Sequence, residues 1–302
     1  MDSAVVFNEV IILFLIMVVG FAAKKFNIIN DETRRKLSEM LIYITMPCLI
    51  IISFNFEFSK EMLYNACIVL IFAAGIHIFS ILLGMLIYNR YPYDVKKVLK
   101  FITVYTNCGF MGLPVLEGLF GKQGVFYGSI YNAVFNISVW TNGIMIFTGN
   151  KASGTLKRAL INPGIIAVIM GMAIFLFSAE LPYPLFKALE MVGSMTTPVS
   201  MIIIGSFLAD SDFKKIFSGF DVYYGSAVRL VLIPVVTLVV LKIIGLREDL
   251  LGPCVTLVAM PAAANTVIFA EMYGGDTELA SRCIAISTLL SVITIPLVVM
   301  FT

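Results

Sequence analysis

Asn107 and Asn265 are the residues of this sequence best placed to do chemistry, because each is an amide in an otherwise apolar run. They sit in TNCGFMGLPV and MPAAANTVIFA, and no formal charge lies between Lys100 and Glu117. An amide both donates and accepts, and it costs far less than a charge to hold in an apolar medium. Each is flanked by residues that interrupt a helix, Gly109, Gly112 and Pro114 in the first run and Pro261 in the second. Proline lacks the amide hydrogen and crowds the preceding turn, while the glycines are expected to let other backbone approach closely. Broken backbone at membrane depth survives only where protein or a water-filled cavity satisfies it. Two helices breaking where they cross bring four half-helix ends together. The two N-terminal ends offer partial positive charge and free N–H groups, which suit an anion, and the two C-terminal ends offer carbonyls, which suit a cation or a polarised donor. Asn107 and Asn265, facing each other, would clamp one carboxylate. The competing reading gives Asn and Pro a helix-packing role only.

Further polar residues fall inside apolar segments. Asn132 and Asn136 lie one turn apart in YNAVFN and are candidates to line the same cavity. His77 and Arg229 are candidates for charge or proton coupling. Arg229 would supply positive charge for a carboxylate, or else snorkel, or pair with Asp221 or a backbone carbonyl. His77 would be a hydrogen-bonded core residue or a proton relay. Glu39 and Glu190 are read as starting their helices, where negative charge at an N-terminus is stabilising, with proton or sodium coupling as the sharper alternative. Glu117 and Glu271 are expected at solvated helix ends, with a gating role as the alternative. Tyr131 and Trp140 read as packing residues, and Gly124 with Gly128 as a close-packing GxxxG. Asp210 and Asp212 in LADSDFKK read as a charge-balanced turn beside Lys214 and Lys215, not as a metal site. The five cysteines are scattered with no CxxC pair, so no disulfide framework and no metal centre is expected. No catalytic constellation such as HExxH or GxSxG appears, and no cofactor is expected.

The elements that position these residues must be transmembrane helices. Of 302 residues 60% are hydrophobic and 13% charged, about half the charge of a soluble domain. A crossing needs about 20 mostly apolar residues. Ten such spans can be drawn, at about 4–23, 37–56, 63–89, 98–118, 124–148, 161–179, 185–208, 222–245, 250–272 and 280–301, and they are called spans 1 to 10 below. MDSAVVFNEV has no basic stretch ahead of span 1, and Lys24 and Lys25 follow it, the pattern of a retained anchor. Alternating loops place fifteen of the 21 basic residues on one side and five on the other, with Arg229 within a span. That side is expected to be cytoplasmic, with both termini extracytoplasmic at the cell membrane. A net charge of +2 without a basic stripe argues against a nucleic-acid partner.

The chain also repeats itself. LSEMLIYITMPCLIIISF and ALEMVGSMTTPVSMIIIGSF share a Glu-Met pair, a proline and an isoleucine run ending in Ser-Phe. Both Glu39 to Glu190 and Pro47 to Pro198 are separated by the same interval (190 − 39 and 198 − 47). His77 and Arg229 are separated by nearly the same interval. Five spans per half is odd, so residues 1–150 and 151–302 would form two inverted repeats, the architecture of many secondary transporters.

TNCGFMGLPV and MPAAANTVIFA resemble the crossover-helix motifs of the auxin efflux carrier family, which includes PIN-like plant exporters and bacterial malate or malonate permeases. The resemblance covers essentially the whole chain. It implies an all-α membrane fold of ten helices in an inverted five-plus-five repeat, akin also to bile-acid symporters, with spans 4 and 9 broken. It implies a scaffold domain (spans 1, 2, 6 and 7), a transport domain (spans 3–5 and 8–10) and an elevator-type alternating-access motion. It places a small organic anion, such as malate, malonate or an auxin-like acid, at Asn107, Pro114, Pro261 and Asn265, and it implies a homodimer in the bilayer. The halves are joined only by NKASGTLKRALINP, so regulation through a long hydrophilic loop is not expected. Three alternatives stand beside this reading: a cation-coupled symporter or cation antiporter of the same fold, a membrane enzyme, and a receptor or channel. An antiporter would want paired buried aspartates at the crossover, and spans 4 and 9 contain none. Coupling to H+ or Na+ is left open.

Overall fold

The computed structural model describes residues 3–149, 161–210 and 218–302, and these are helical apart from short connections and one isolated antiparallel bridge. In chain order the helices are α1 (Ser3–Lys25), α2 (Asp31–Ser53), α3 (Lys60–Ile87), α4 (Tyr93–Val104), α5 (Leu113–Ser138), α6 (Ile144–Thr148), α7 (Pro163–Leu176), α8 (Tyr183–Asp210), α9 (Phe220–Ile243), α10 (Glu248–Ala259), α11 (Thr266–Tyr273) and α12 (Thr277–Val299). Six of them, α1, α2, α3, α8, α9 and α12, are long and apolar enough to cross a bilayer. They coincide with spans 1, 2, 3, 7, 8 and 10. The remaining expected spans are not single long helices. Span 4 divides between α4 and the start of α5, span 9 between α10 and α11, and span 6 is the 14-residue α7. Span 5 is the rest of α5, beyond a kink at Gly121 (φ 58°), together with α6. Most of the NKASGTLKRALINP connection lies outside the described residues, as do Asp212, Lys214 and Lys215.

The surface pattern of α3 shows what solvent it was selected for. Its inward stripe is Ala66, Val69, Ala73, His77, Ser80 and Gly84, the helical i, i+3, i+4 spacing, yet these are small or polar residues. Leu70, Ile71, Ile78, Leu82 and Leu86 face outward and are exposed. Small residues inside and large aliphatics outside is the arrangement expected where the surrounding solvent is lipid. The same logic sets the closest helix crossing, α1 on α8. A Cβ built on Gly20 would lie 2.1 Å from the Ile202 carbonyl oxygen, and one on Gly205 would lie 1.9 Å from that of Met17.

Prolines place the irregular turns. Three five-residue π turns, Leu41–Thr45, Cys108–Gly112 and Val228–Leu232, each end two residues before a proline: Pro47, Pro114 and Pro234. A proline has no N–H for the carbonyl one turn back, and the wider turn absorbs the misfit. A fourth π turn, Val139–Gly143, has no such proline.

Helix α1 packs along α8, and α2 packs on both α7 and α8, while α5 packs on α3 and α10 and also meets α1, α2 and α7. Two sequence expectations need correction here. Helix α2 begins at Asp31, capped by the Asn30 side chain, which accepts from the Thr33 N–H, so Glu39 is more than two turns inside it. Helix α8 begins at Tyr183, so Glu190 is likewise beyond the first turn, where terminus electrostatics have faded. Both are surface carboxylates in local ion pairs, Glu39 with Lys36 at 2.9 Å and Glu190 with Lys187 at 2.7 Å. The Gly124/Gly128 pair does pack closely, but against Leu113 and Leu116 of its own helix α5 across the Gly121 kink.

Candidate transport crossover

Helices α4 and α10 stop at the same place, and the chains beyond them pair. Met260 precedes Pro261 and is therefore driven out of helical conformation, to ψ 148°. Tyr105 is extended as well, at φ −103° and ψ 115°. Pro114 does not cause that second break, which lies at 105–107; the pairing itself holds it open. The Asn107 N–H donates to the Pro261 carbonyl at 2.8 Å, and the Ala263 N–H donates to the Tyr105 carbonyl at 3.1 Å. Thr106 and Ala262 form the antiparallel bridge between them, and the Ala262 N–H donates to Ser287 Oγ of α12 at 3.1 Å. Each break thus satisfies the other's backbone, which is what unwound chain at membrane depth requires.

The N-terminal ends beyond the breaks face a cavity of about 300 Å³. Its polar lining is Ser38, Thr106, Asn107, Asn132, Asn136, Asn162 and Asn265, and its apolar lining includes Ile42, Met46, Phe110, Trp140, Phe207 and Ile268. Among the described residues no Asp, Glu, Lys, Arg or His contributes to the wall. The Asn107 carboxamide has no protein hydrogen-bond partner among the described residues, and the buried Oδ1 of Asn265 has none either. Those two amides are therefore free to take a ligand. The other three have protein partners: Asn132 Oδ1 accepts from Cys108 Sγ at 3.4 Å, the Asn132 backbone carbonyl accepts from Asn136 Nδ2 at 2.7 Å, and Asn136 Oδ1 accepts from Asn162 Nδ2 at 3.2 Å. Asn162 in turn caps α7 through the Gly164 N–H at 2.9 Å. A second cavity, of about 200 Å³, shares Asn107, Phe207, Ala264 and Ile268 and reaches the Arg34–Asp210 ion pair.

The glycines serve differently from the expectation. No backbone approaches Gly109; a Cβ there would meet only Asn132 Oδ1 and Met46 Cε, both at 3.7 Å, so its hydrogen keeps the cavity open. A Cβ on Gly112 would lie 3.3 Å from Leu257 Cδ2 and 3.5 Å from the Asn107 carbonyl oxygen. Pro114 and Pro261 do not line the cavity and act through the backbone. Trp140, read as a packing residue, lines the wall 5.6 Å from the Phe269 ring. Tyr131 is buried against His77, ring centroids 5.3 Å apart.

The charge candidates lie away from this wall. His77 Nδ1 donates to the Ala73 carbonyl of its own helix at 2.7 Å, and its Nε2 has no partner among the described residues. Arg229 is 1% exposed, neither snorkelling nor paired with Asp221. One of its terminal nitrogens donates to the Thr103 carbonyl at 2.9 Å and the other to the Val258 carbonyl. Glu117 is not a solvated end: its Oε2 accepts from Thr197 Oγ1 of α8 at 2.7 Å, beside a small cavity that also borders Lys122 and Glu190. Glu271 is exposed. Asp210 is paired with Arg34 and Lys24. Asn162 was the amide not picked out from sequence, although Asn followed by Pro at the start of an apolar run is itself a helix-start signal.

Comparison with known proteins adds lineage to this geometry. A family model described as "Membrane transport protein" matches residues 5–299. An uncharacterized transporter of Methanocaldococcus jannaschii is 25% identical over 303 residues, covering 96% of each chain. A putative malonate transporter of Rhizobium meliloti is 23% identical over 270 residues, 86% of this chain and 84% of its own. A probable auxin efflux carrier component of Oryza sativa subsp. japonica is 30% identical over 135 residues, 43% of this chain and 36% of its own.

Proposed function

The chain belongs to the membrane transport protein family, that of the auxin efflux carriers, and is a multi-pass transporter, not an enzyme; from that premise we propose that it is a secondary carrier of small organic anions. The observation that carries the reading is the crossover itself. Two broken helices, hydrogen-bonded to each other, direct two N-terminal half-helix ends and two unpartnered amides into one uncharged cavity. Helix N-termini draw negative charge, and amides hold a carboxylate without the desolvation cost of a buried cation. The Rhizobium relative named for malonate favours a carboxylate as the transported group.

In this reading the ten spans form two inverted repeats, and the transport domain carries the crossover past a scaffold of α1, α2, α7 and α8 by an elevator-type motion. The cavity lies along the middle of α2, at Ser38, Ile42 and Met46, on the side toward its N-terminus and the basic side. The Glu117–Thr197 bond and the small cavity at Leu49, Ile52 and Ser53 lie along its C-terminal half. With the basic side cytoplasmic, this arrangement is an inward-facing one in a cell membrane, with both termini outside. A homodimer joined through the scaffold belongs to the same proposal.

Uptake by purified protein in liposomes tests it, with labelled malate, malonate, succinate and indole-3-acetate under imposed proton or sodium gradients. Saturable wild-type uptake of one carboxylate is expected. Asn107→Ala and Asn265→Ala should each weaken it about ten- to a hundredfold, the loss of a hydrogen bond to a charged group. If no carboxylate moves under any gradient, the proposal fails; if the variants match wild type, the anion site is elsewhere.

A further inference from the structure

The cavity uses only half of the crossover. Its two C-terminal ends, those of α4 and α10, point the other way, and bare carbonyl ends of broken helices are where carriers of this architecture hold a cation. Here a side chain fills that place. Thr103 and Val258 each stand one residue before the end of their helix, and both of their carbonyls accept from the same buried guanidinium, that of Arg229. Among the described residues no carboxylate pairs with it. Two helix C-termini carry about half a negative charge each, so together they balance one guanidinium. The fork of Arg229 spans two carbonyls on different helices, which a point-charge ammonium does less well. His77, separated from Arg229 by about the repeat interval, bonds only to its own helix and gives no second such clamp.

We propose that Arg229 is the resident cation of the crossover: it occupies the carbonyl site of α4 and α10, so that the transport cycle needs no bound alkali-metal ion there. The inference rests on reading the paired breaks as the transport crossover. Arg229 is then a positioning residue, which clamps the C-terminal halves together and leaves the N-terminal halves electrostatically available to the anion. It touches no substrate.

The test uses purified full-length wild type, Arg229→Lys and Arg229→Ala, each in sodium chloride, in choline chloride and in choline with low, non-denaturing guanidinium. Thermal unfolding needs no substrate, so it decides independently of the organic-anion reading; liposome uptake is the second readout. Wild type should show the same Tm and the same uptake in sodium and in choline. Arg229→Lys should keep sodium-independent uptake at a reduced rate. Arg229→Ala should lose about 5 °C or more of Tm in choline. Guanidinium should restore both Tm and uptake, and sodium should restore part of each. A sodium requirement in wild type or in Arg229→Lys overturns the proposal, and those two arms stand even if Arg229→Ala does not fold. Destabilisation of Arg229→Ala that no cation relieves also overturns it, because that is the behaviour of a merely structural arginine.

Discussion

At the scale of single residues, the crossover separates amides that bind from amides that brace. Asn107 and Asn265 have hydrogen-bonding capacity to spare, whereas Asn136 and Asn162 bond each other and Asn132 is held by Cys108. Trp140 is the sole tryptophan of the chain and stands in the cavity wall, so it is a built-in reporter. A transported carboxylate is expected to change its fluorescence saturably, and Asn265→Ala to move the midpoint about tenfold or more to higher concentration; an unresponsive Trp140 with an active carrier would place the substrate elsewhere. Gly109→Leu separates folding from function. Its new side chain enters open cavity and meets no backbone. The variant should therefore unfold at nearly the wild-type temperature while losing both uptake and the tryptophan response.

At the scale of elements, two devices shape the helices. Prolines that follow π turns set the rotation of what precedes them. Pro114→Ala restores an N–H, which favours an ordinary α turn over Cys108–Gly112. Removing that extra residue from the turn rotates Asn107 and Gly109 by about 100° relative to α5, one residue of a 3.6-residue turn. Uptake should fall sharply with little loss of Tm; unchanged uptake would mean that the pairing with Pro261 alone holds Asn107 in place. The second device is the close crossing of α1 and α8. Gly205→Val places two methyl groups against Met17 backbone, an overpacking that costs about 1–3 kcal/mol or more. Expression and Tm should drop for that variant, in contrast to Gly109→Leu, and a well-folded Gly205→Val would show that the two helices separate easily.

At the scale of the whole molecule, α5 and α8 are joined by polar contacts on the side away from the main cavity, the Lys122–Glu190 ion pair at 3.8 Å among them. Glu117 of α5 accepts from Thr197 of α8 at 2.7 Å. An elevator-type motion must break that contact in every cycle. A pair of cysteines at these two positions, in a background with Cys48 and Cys67 replaced by serine, should cross-link under mild oxidation. Uptake should stop on cross-linking and return on reduction. Transport that continues through the locked pair would rule out relative sliding of α5 against α8.

The apolar solvent and the places where the helices break are legible along the chain. Those properties are local: apolar length, proline without its N–H, and an amide where lipid would exclude it. Asn107 and Asn265, which line the crossover cavity, stand out in the sequence because a polar residue in a greasy run needs no partner to be noticed. What each residue meets depends on how the helices pack. That Arg229 clamps two carbonyls, one of them 126 residues away, follows from α4 and α10 ending side by side, which no spacing encodes. The expectation for Glu39 and Glu190 missed because the polar first turns of α2 and α8 lie outside the apolar windows from which helix starts were read. Glu117 reads from sequence as a solvated end because its partner Thr197 lies in the other half of the chain. Asn162 joined the cavity for the same reason: side-chain hydrogen bonds are short-ranged in space and indifferent to distance along the chain.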